Sequence, residues 1–189
     1  MMNKQTLAAL FIIGVMVFST FGFILSESTG NAQTFSYQGK SFVLTEEGLF
    51  TLINNKKIFF TSLPDRLESV DVEDSVKKIF KESPVITISY DPNSEDAELL
   101  GYAQYSFEDR SIKIGKPIVI NALTNAQNFS LPEITCANSS QTSPVLVFEK
   151  SNTSSAQLKN DCVIVKYSSQ QDLLEVIDKL VYIVAGVLA

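Results

Sequence analysis

The chain contains no histidine and no tryptophan, and it has only two cysteines among 189 residues. Without histidine, a Ser-His-Asp or Cys-His catalytic relay cannot form, and neither can an imidazole-ligated zinc or haem site. Two thiols are also too few for a thiolate zinc site or a cysteine-ligated iron–sulfur cluster within one chain. The side chains that remain for chemistry are carboxylates, lysine, tyrosine, hydroxyls and one pair of thiols, and no catalytic residue, metal or cofactor is predicted.

Basic charge is also scarce, since 15 Lys and Arg stand against 21 Asp and Glu, a net charge of −6. A nucleic-acid binder needs clustered Lys and Arg to displace counterions from phosphates. The densest basic group, Lys77, Lys78 and Lys81, is flanked by Asp74 and Glu82. The sequence therefore argues against nucleic acid as a partner.

The one long apolar run lies near the amino terminus. Residues 6–25 are uncharged, and as a helix they would span about 30 Å, the hydrocarbon thickness of a bilayer. Lys4 precedes the run and Glu27 follows it, so the positive-inside rule places the amino terminus in the cytosol. Residues 1–26 are predicted to be a cytosolic stub and a transmembrane signal anchor that holds a single-pass protein in the cell membrane.

A cleaved signal peptide is the alternative for the same segment. Gly30-Asn31-Ala32 has the small-x-small form of a cleavage site. Cleavage near Ala32 would release the domain as a secreted protein. Both readings place the rest of the chain outside the cytosol.

The exported part is predicted to be a short linker, 27–34, followed by one extracytoplasmic domain of class α/β or α+β, 35–189. Alternation broken by turn residues predicts a β-meander at 35–63. Helical spacing with early acidic residues predicts a helix at 64–84. The core, 85–189, is predicted to contain a turn and a helix after its first strand, and a closing helix packed inside. Its β-branched runs predict buried strands at 85–90, 116–123, 144–150 and 162–167.

The order strand, helix, strand, connection, strand, strand, helix within 85–188 resembles a thioredoxin-like scaffold with a mixed sheet. Thr142-Ser143-Pro144, directly before "VLVFEK", resembles the proline that precedes the third strand of that fold. The Cys-x-x-Cys motif is missing, because Asp91-Pro92-Asn93-Ser94 stands between the first strand and its helix. The resemblance implies the scaffold, and the missing Cys-x-x-Cys motif excludes the redox chemistry of thioredoxin.

A second resemblance covers nearly the whole exported region. The segments "GKSFVLTEEGLFTLINNK", "LPEITCANSSQTSPVLVFEKSNTSSAQLKNDCVIVKY" and "DLLEVIDKLVYIVAGVL" resemble uncharacterised archaeal single-span membrane-anchored proteins of unknown function. The resemblance implies an anchored extracytoplasmic domain. It assigns no activity to any residue.

The two cysteines, Cys136 and Cys162, are predicted to form a disulfide, because an exported chain with an even cysteine count forms one by default. Such a bridge would be worth roughly 3–3.5 kcal/mol in the chain-entropy model. Free thiols and a redox role are the alternatives. Cys136 and Ser139 form a Cys-x-x-Ser motif, whose thiol is activated by a helix N-terminus, but no helix is predicted after Cys136.

Two acidic groups could serve as functional sites. Asp91, Asn93 and Glu95 imitate the start of a calcium loop, but Asp96 and Tyr102 stand where an EF-hand needs Gly and Glu. The segment is interpreted as the acidic start of a helix.

The second acidic group could supply paired carboxylates for acid–base catalysis and consists of Asp71, Glu73 and Asp74. Lysines three and four positions after Asp74 favour a solvated helix face instead.

Three N-x-Ser/Thr sequons, at Asn128, Asn138 and Asn152, lie in polar segments and are candidate N-glycosylation sites. The sequence thus favours a non-catalytic envelope or partner-binding module with an unidentified protein partner. The alternative is a histidine-free enzyme, either a carboxylate hydrolase or a thiol–disulfide protein that uses Cys136.

Overall fold

A computed structural model of the chain describes residues 32–127 and 129–188. The predicted anchor at 1–26, the linker residues 27–31 and the sequon at Asn128 lie outside the described residues. Within the described part, none of the helices combines the length and apolarity that crossing a membrane requires.

The first sheet is an antiparallel meander that runs in chain order. Its strands are β1 (Gln33–Tyr37), β2 (Lys40–Thr45), β3 (Gly48–Ile53) and β4 (Lys56–Phe60). Asn54 and Asn55 turn the chain between β3 and β4 with φ values of 51° and 61°, a left-handed conformation that asparagine tolerates. β1 begins inside the segment predicted to be linker, since Gln33 already pairs with Leu44.

The second sheet has six strands, so the fold is mixed α/β, as predicted. The strands are β5 (Asp71–Val72), β6 (Val85–Tyr90), β7 (Ile118–Leu123), β8 (Val145–Lys150), β9 (Ser155–Lys159) and β10 (Cys162–Tyr167). Their order across the sheet is β5-β9-β10-β8-β6-β7. β7, β6, β8 and β10 run parallel, and β9 is antiparallel to β10.

The strand directions correct the thioredoxin-like expectation. In a thioredoxin-like core, the third strand, which follows the proline, runs antiparallel to the first strand. Here β8 follows Pro144 and pairs parallel with β6, with Thr87 opposite Val145. The predicted elements occur in the expected order, with one additional strand, β9, between β8 and β10. The direction of β8 differs, because element order along a chain does not fix strand direction. The sequence also failed to predict β9.

Three α-helices accompany the sheets: α1 (Asp74–Glu82), α2 (Ala97–Ile114) and α3 (Gln170–Val184). The helix predicted at 64–84 is therefore wrong over its first half. A 3₁₀ turn, Pro64–Leu67, stands there and is followed by β5. The Lys179 ammonium donates to the carbonyl oxygens of Leu67 at 2.9 Å and Val70 at 2.6 Å, which ties the segment before β5 to α3.

Helix α3 lies between the two sheets and forms the centre of the core. The Tyr182 ring stacks on Phe60 of β4 with centroids 3.9 Å apart and meets Phe42 of β2 edge-on at 5.8 Å. Valines of β10 belong to the same buried cluster, and α3 packs on β10, α1 and α2. Because α3 has neighbours around most of its circumference, its apolar residues are needed on every side. The prediction that the carboxyl-terminal segment packs in the core is confirmed.

Candidate functional site

The disulfide predicted between Cys136 and Cys162 is present, with the two Cα atoms 5.2 Å apart. It joins a 3₁₀ turn, Cys136–Asn138, to the first residue of β10. No α-helix follows Cys136, as expected; Thr135 caps the short 3₁₀ turn. The Ser139 hydroxyl donates to the Asp161 carbonyl oxygen at 2.6 Å and accepts from the Val145 N–H at 2.8 Å. Ser139 therefore holds the loop beside the sheet.

The two described sequons have different surroundings. The Asn138 side-chain oxygen accepts from the Thr135 N–H at 2.9 Å, so this side chain closes the 3₁₀ turn. Asn152 is exposed in the connection between β8 and β9, and no hydrogen bond to its side chain is formed by the described residues. Of these two side chains, only that of Asn152 takes no part in the local structure of the described chain.

The acidic groups singled out in the sequence serve local structure. The Asp91 carboxylate accepts from the Asn93 N–H at 2.9 Å and so closes a turn before α2. The Glu73 carboxylate accepts from the Leu158 N–H at 3.0 Å, whereas Asp74 pairs with Lys77 at 2.8 Å, which lowers the Asp74 pKa. Across residues 32–127 and 129–188, no three acidic or cysteine side chains group in a way that could hold a metal ion.

A cleft of about 600 Å³ opens where β6, β8 and β10 end. We call this hollow the cleft. It is lined by the start of α2, by Lys150 at the end of β8, and by residues 167–170, which run from the last residue of β10 to the first residue of α3. β6 lies between β7 and β8: the chain passes from β6 through α2 to β7 on one side, and it continues from β7 to β8 on the other side. Ligands of open α/β sheets bind at such a switch point, outside the carboxyl ends of the strands.

Three polar side chains from three elements meet in the cleft. The Asp96 carboxylate, directly before α2, accepts from the Lys150 ammonium at 2.7 Å and from the Tyr167 hydroxyl at 3.0 Å. Each of these residues stands at the end of a strand or the start of a helix, so the sheet topology brings them together.

The network shifts the pKa of each of its members. The hydrogen bond from Lys150, and then that from Tyr167, lowers the pKa of Asp96. Asp96 in turn raises the pKa of Lys150. Burial, with the hydrogen bond to Asp96, raises the pKa of Tyr167 to about 12. All three groups thus keep one protonation state across the neutral range.

The start of α3 forms the opposite wall of the cleft and is already occupied by a carboxylate. The Ser169 hydroxyl oxygen accepts from the Asp172 N–H at 3.2 Å, and the Ser168 hydroxyl donates to the Asp172 carboxylate. The Ser168 hydrogen bond lowers the pKa of Asp172. Because a negative charge already offsets the helix dipole here, this wall does not favour an anionic ligand.

A second hollow of about 210 Å³ lies beyond Tyr102, between α2, α3 and the end of β4. Its lining includes Tyr105, Phe59 and the buried ion pair of Arg110 with Asp178. Tyr102 lines both this hollow and the cleft. The two are therefore neighbouring parts of one surface between α2 and α3.

No protein-family model, curated protein or solved structure matches the chain.

The cleft is therefore interpreted from its own chemistry. The sequence predicted the strands that end in Lys150 and Tyr167, but it gave no reason to place these ends side by side. The rule that parallel strands carry sites at their carboxyl ends would have singled out Lys150 and Tyr167 once the strands were known to be parallel.

Proposed function

We propose that the chain is a membrane-anchored extracytoplasmic protein whose domain binds a partner in the envelope at the cleft and catalyses no reaction on it. The observation that carries the proposal is the network of Asp96, Lys150 and Tyr167. The network lies where α/β sheets bind ligands. The pKa of Asp96 is lowered and those of Lys150 and Tyr167 are raised, so all three pKa values are shifted away from neutral pH. Groups that keep one charge state near pH 7 suit recognition rather than proton transfer, which needs a pKa close to the working pH.

The proposed location rests on the sequence and on the disulfide. Residues 6–25 have the length and composition of a membrane anchor, and the resemblance to archaeal single-span proteins supports the same topology. Disulfides persist in oxidising compartments, and Cys136 is bonded to Cys162. Cleavage near Ala32 would leave the same domain outside the cell as a secreted protein.

The enzyme alternative finds less support in the carboxylates and thiols. A histidine-free hydrolase needs one carboxyl group whose pKa is raised, so that it can act as an acid. The described carboxyl groups with shifted pKa values, Asp74, Asp96 and Asp172, are all shifted downward. A thiol–disulfide protein would need Cys136 as a thiolate, whereas its sulfur is bonded to Cys162.

Site-specific photocrosslinking in the native membrane tests the proposal. We would place p-benzoylphenylalanine at Tyr102, on the rim of the cleft, in the full chain. The matched control carries it at Ile118, which is 68% exposed on β7. The proposal predicts a discrete adduct from position 102 and none from position 118. Equal yields at both positions, or no adduct at 102, would contradict a binding role for the cleft.

A further inference from the structure

The surface between α2 and α3 combines acidic charge with exposed tyrosine rings. We define the α2–α3 groove as the cleft together with the second hollow beyond Tyr102. We infer that it binds an extended protein segment in which a basic residue is followed, two positions on, by an apolar one. This inference rests on the proposed function and names the chemistry of the partner.

The charge of the groove selects a basic side chain. The charged groups along it are largely paired with each other: Asp96 with Lys150, Asp109 with Lys113, and Arg110 with Asp178. Glu95 and Glu98, both exposed, form no ion pair within the described part of the chain. Two negative charges are therefore left over at the cleft end, where a Lys or Arg of the partner finds complementary charge.

Two exposed tyrosines supply the apolar contact. Tyr102 is 53% and Tyr105 62% exposed, and both line the second hollow. Tyrosine is enriched among the residues that dominate binding energy, because its large ring buries much area at a small entropic cost. A cation held by Glu98 would also lie near the Tyr102 ring, where a cation–π contact adds to binding.

The spacing along α2 sets the pattern of the partner. Glu98 and Tyr102 are four residues apart, so they stand on one face of α2 about 6 Å apart along its axis. An extended chain advances about 3.3 Å per residue and points every second side chain to the same side. A basic residue and an apolar residue two positions apart therefore match Glu98 and Tyr102. Tyr105, a turn further on, continues the apolar contact.

Other occupants are less compatible with the groove. An anionic lipid surface would be repelled by Glu95 and Glu98. A second copy of the chain could offer Lys57 and Phe59, which have the required spacing in β4, but Phe59 already lines the second hollow of its own chain. A second copy is an outcome that the experiment below separates from a foreign segment.

A random peptide library, selected against the full chain in detergent, tests the inference. We expect the enriched peptides to carry Lys or Arg two positions before an aromatic or aliphatic residue. Tyr105→Ala should weaken their binding about tenfold or more, as for a residue at the centre of an interface. Glu98→Gln should weaken it and reduce its dependence on salt. Ile112→Ala, on an exposed residue of the same helix outside the groove, should leave binding unchanged.

Enrichment of acidic peptides, absence of enrichment, or binding that Tyr105→Ala does not alter would overturn the inference. Self-association of the chain in sedimentation that Tyr105→Ala abolishes would also overturn it, in favour of a second copy. The proposed function is judged separately, because an adduct from position 102 in the native membrane would stand even if the selected peptides had another composition.

Discussion

The Asp178 carboxylate of α3 is ion-paired with the Arg110 guanidinium of α2, and both side chains are buried, at 1% and 7% exposure. The same carboxylate accepts hydrogen bonds from the Thr61 N–H at 2.7 Å and the Ser62 N–H at 3.0 Å, just after β4. One side chain thus joins the two long helices to the meander and holds the second hollow in shape.

Removing one partner of this pair should destabilise the domain strongly. Asp178→Asn leaves the Arg110 charge buried and uncompensated, which costs about 3–5 kcal/mol of unfolding free energy for buried pairs. The double variant Arg110→Met with Asp178→Asn should recover part of that loss, since it buries no charge and the amide oxygen can still accept from the Thr61 and Ser62 N–H groups. Guanidinium unfolding followed by circular dichroism measures both. A single variant within about 1 kcal/mol of the parent would show that the pair is not needed for folding.

Loss of the disulfide should lower stability without changing the cleft. The double variant Cys136→Ala with Cys162→Ala should lose roughly 3 kcal/mol, because its unfolded chain regains the freedom of the closed loop. Peptide binding at the α2–α3 groove should be retained, since neither cysteine lines it. In the unreduced parent, thiol reagents should label neither residue. Labelling of both cysteines in the native protein would refute the bond.

The pKa of Asp96 should depend on Lys150. Carboxyl-carbon NMR should give a midpoint for Asp96 below its ordinary 3.8, because Lys150 and then Tyr167 hydrogen-bond to the charged form. Lys150→Met should raise that midpoint toward the ordinary value. Lys159→Met, which removes an exposed lysine of β9 outside the cleft, should leave it unchanged. Equal midpoints in the parent and Lys150→Met would contradict the network.

The same shift predicts a dependence of stability on acid. The folded pKa of Asp96 lies below the unfolded value, so its contribution is present above about pH 3.9 and is lost as the pH falls through the folded pKa. Between about pH 5 and about pH 2 the parent should therefore lose more unfolding free energy than Lys150→Met. Identical pH profiles of unfolding free energy for the parent and Lys150→Met in urea would show that Lys150 does not stabilise the ionised Asp96 in the fold.

Glycan occupancy should differ between the two described sequons. Secretion through eukaryotic cells, followed by glycopeptide mass spectrometry, should give higher occupancy at Asn152 than at Asn138. Asn138 closes a capped turn that the disulfide ties down, whereas Asn152 lies exposed in a connection. In Cys136→Ala with Cys162→Ala, occupancy at Asn138 should rise. Higher occupancy at Asn138 in the parent would contradict this reasoning.

The sequence predicted the parts of the fold that local pattern encodes. β-branched runs mark buried strands whatever their direction, so β6, β8 and β10 were found. Strand direction depends on pairings between distant segments, which is why the thioredoxin-like resemblance implied the wrong direction for β8. The short strand β9 (Ser155–Lys159) mixes polar and apolar residues without a clear period, and only its pairing with β10 makes it a strand.

The site was harder to predict than the fold. Lys150 and Tyr167 lie far from Asp96 in the chain. They meet it only because β8 and β10 end at the same edge of the sheet. In the sequence, Arg110 and Asp178 look like solvated charges on helices. Their burial between two packed layers cannot be predicted, because one charged residue does not change the periodicity of the apolar residues around it. The exposure of Tyr102 and Tyr105 follows from which face of α2 the meander leaves open.

An amide NMR map of the full chain tests most directly whether the α2–α3 groove is the binding surface of the domain. On addition of the peptide selected by the library, shifts should be confined to the start and middle of α2, residues 95–109, and to residues 167–174 around the start of α3. The β7 strand should not respond. Shifts centred on β7 or on the outer face of the meander, with residues 95–109 unchanged, would contradict the account.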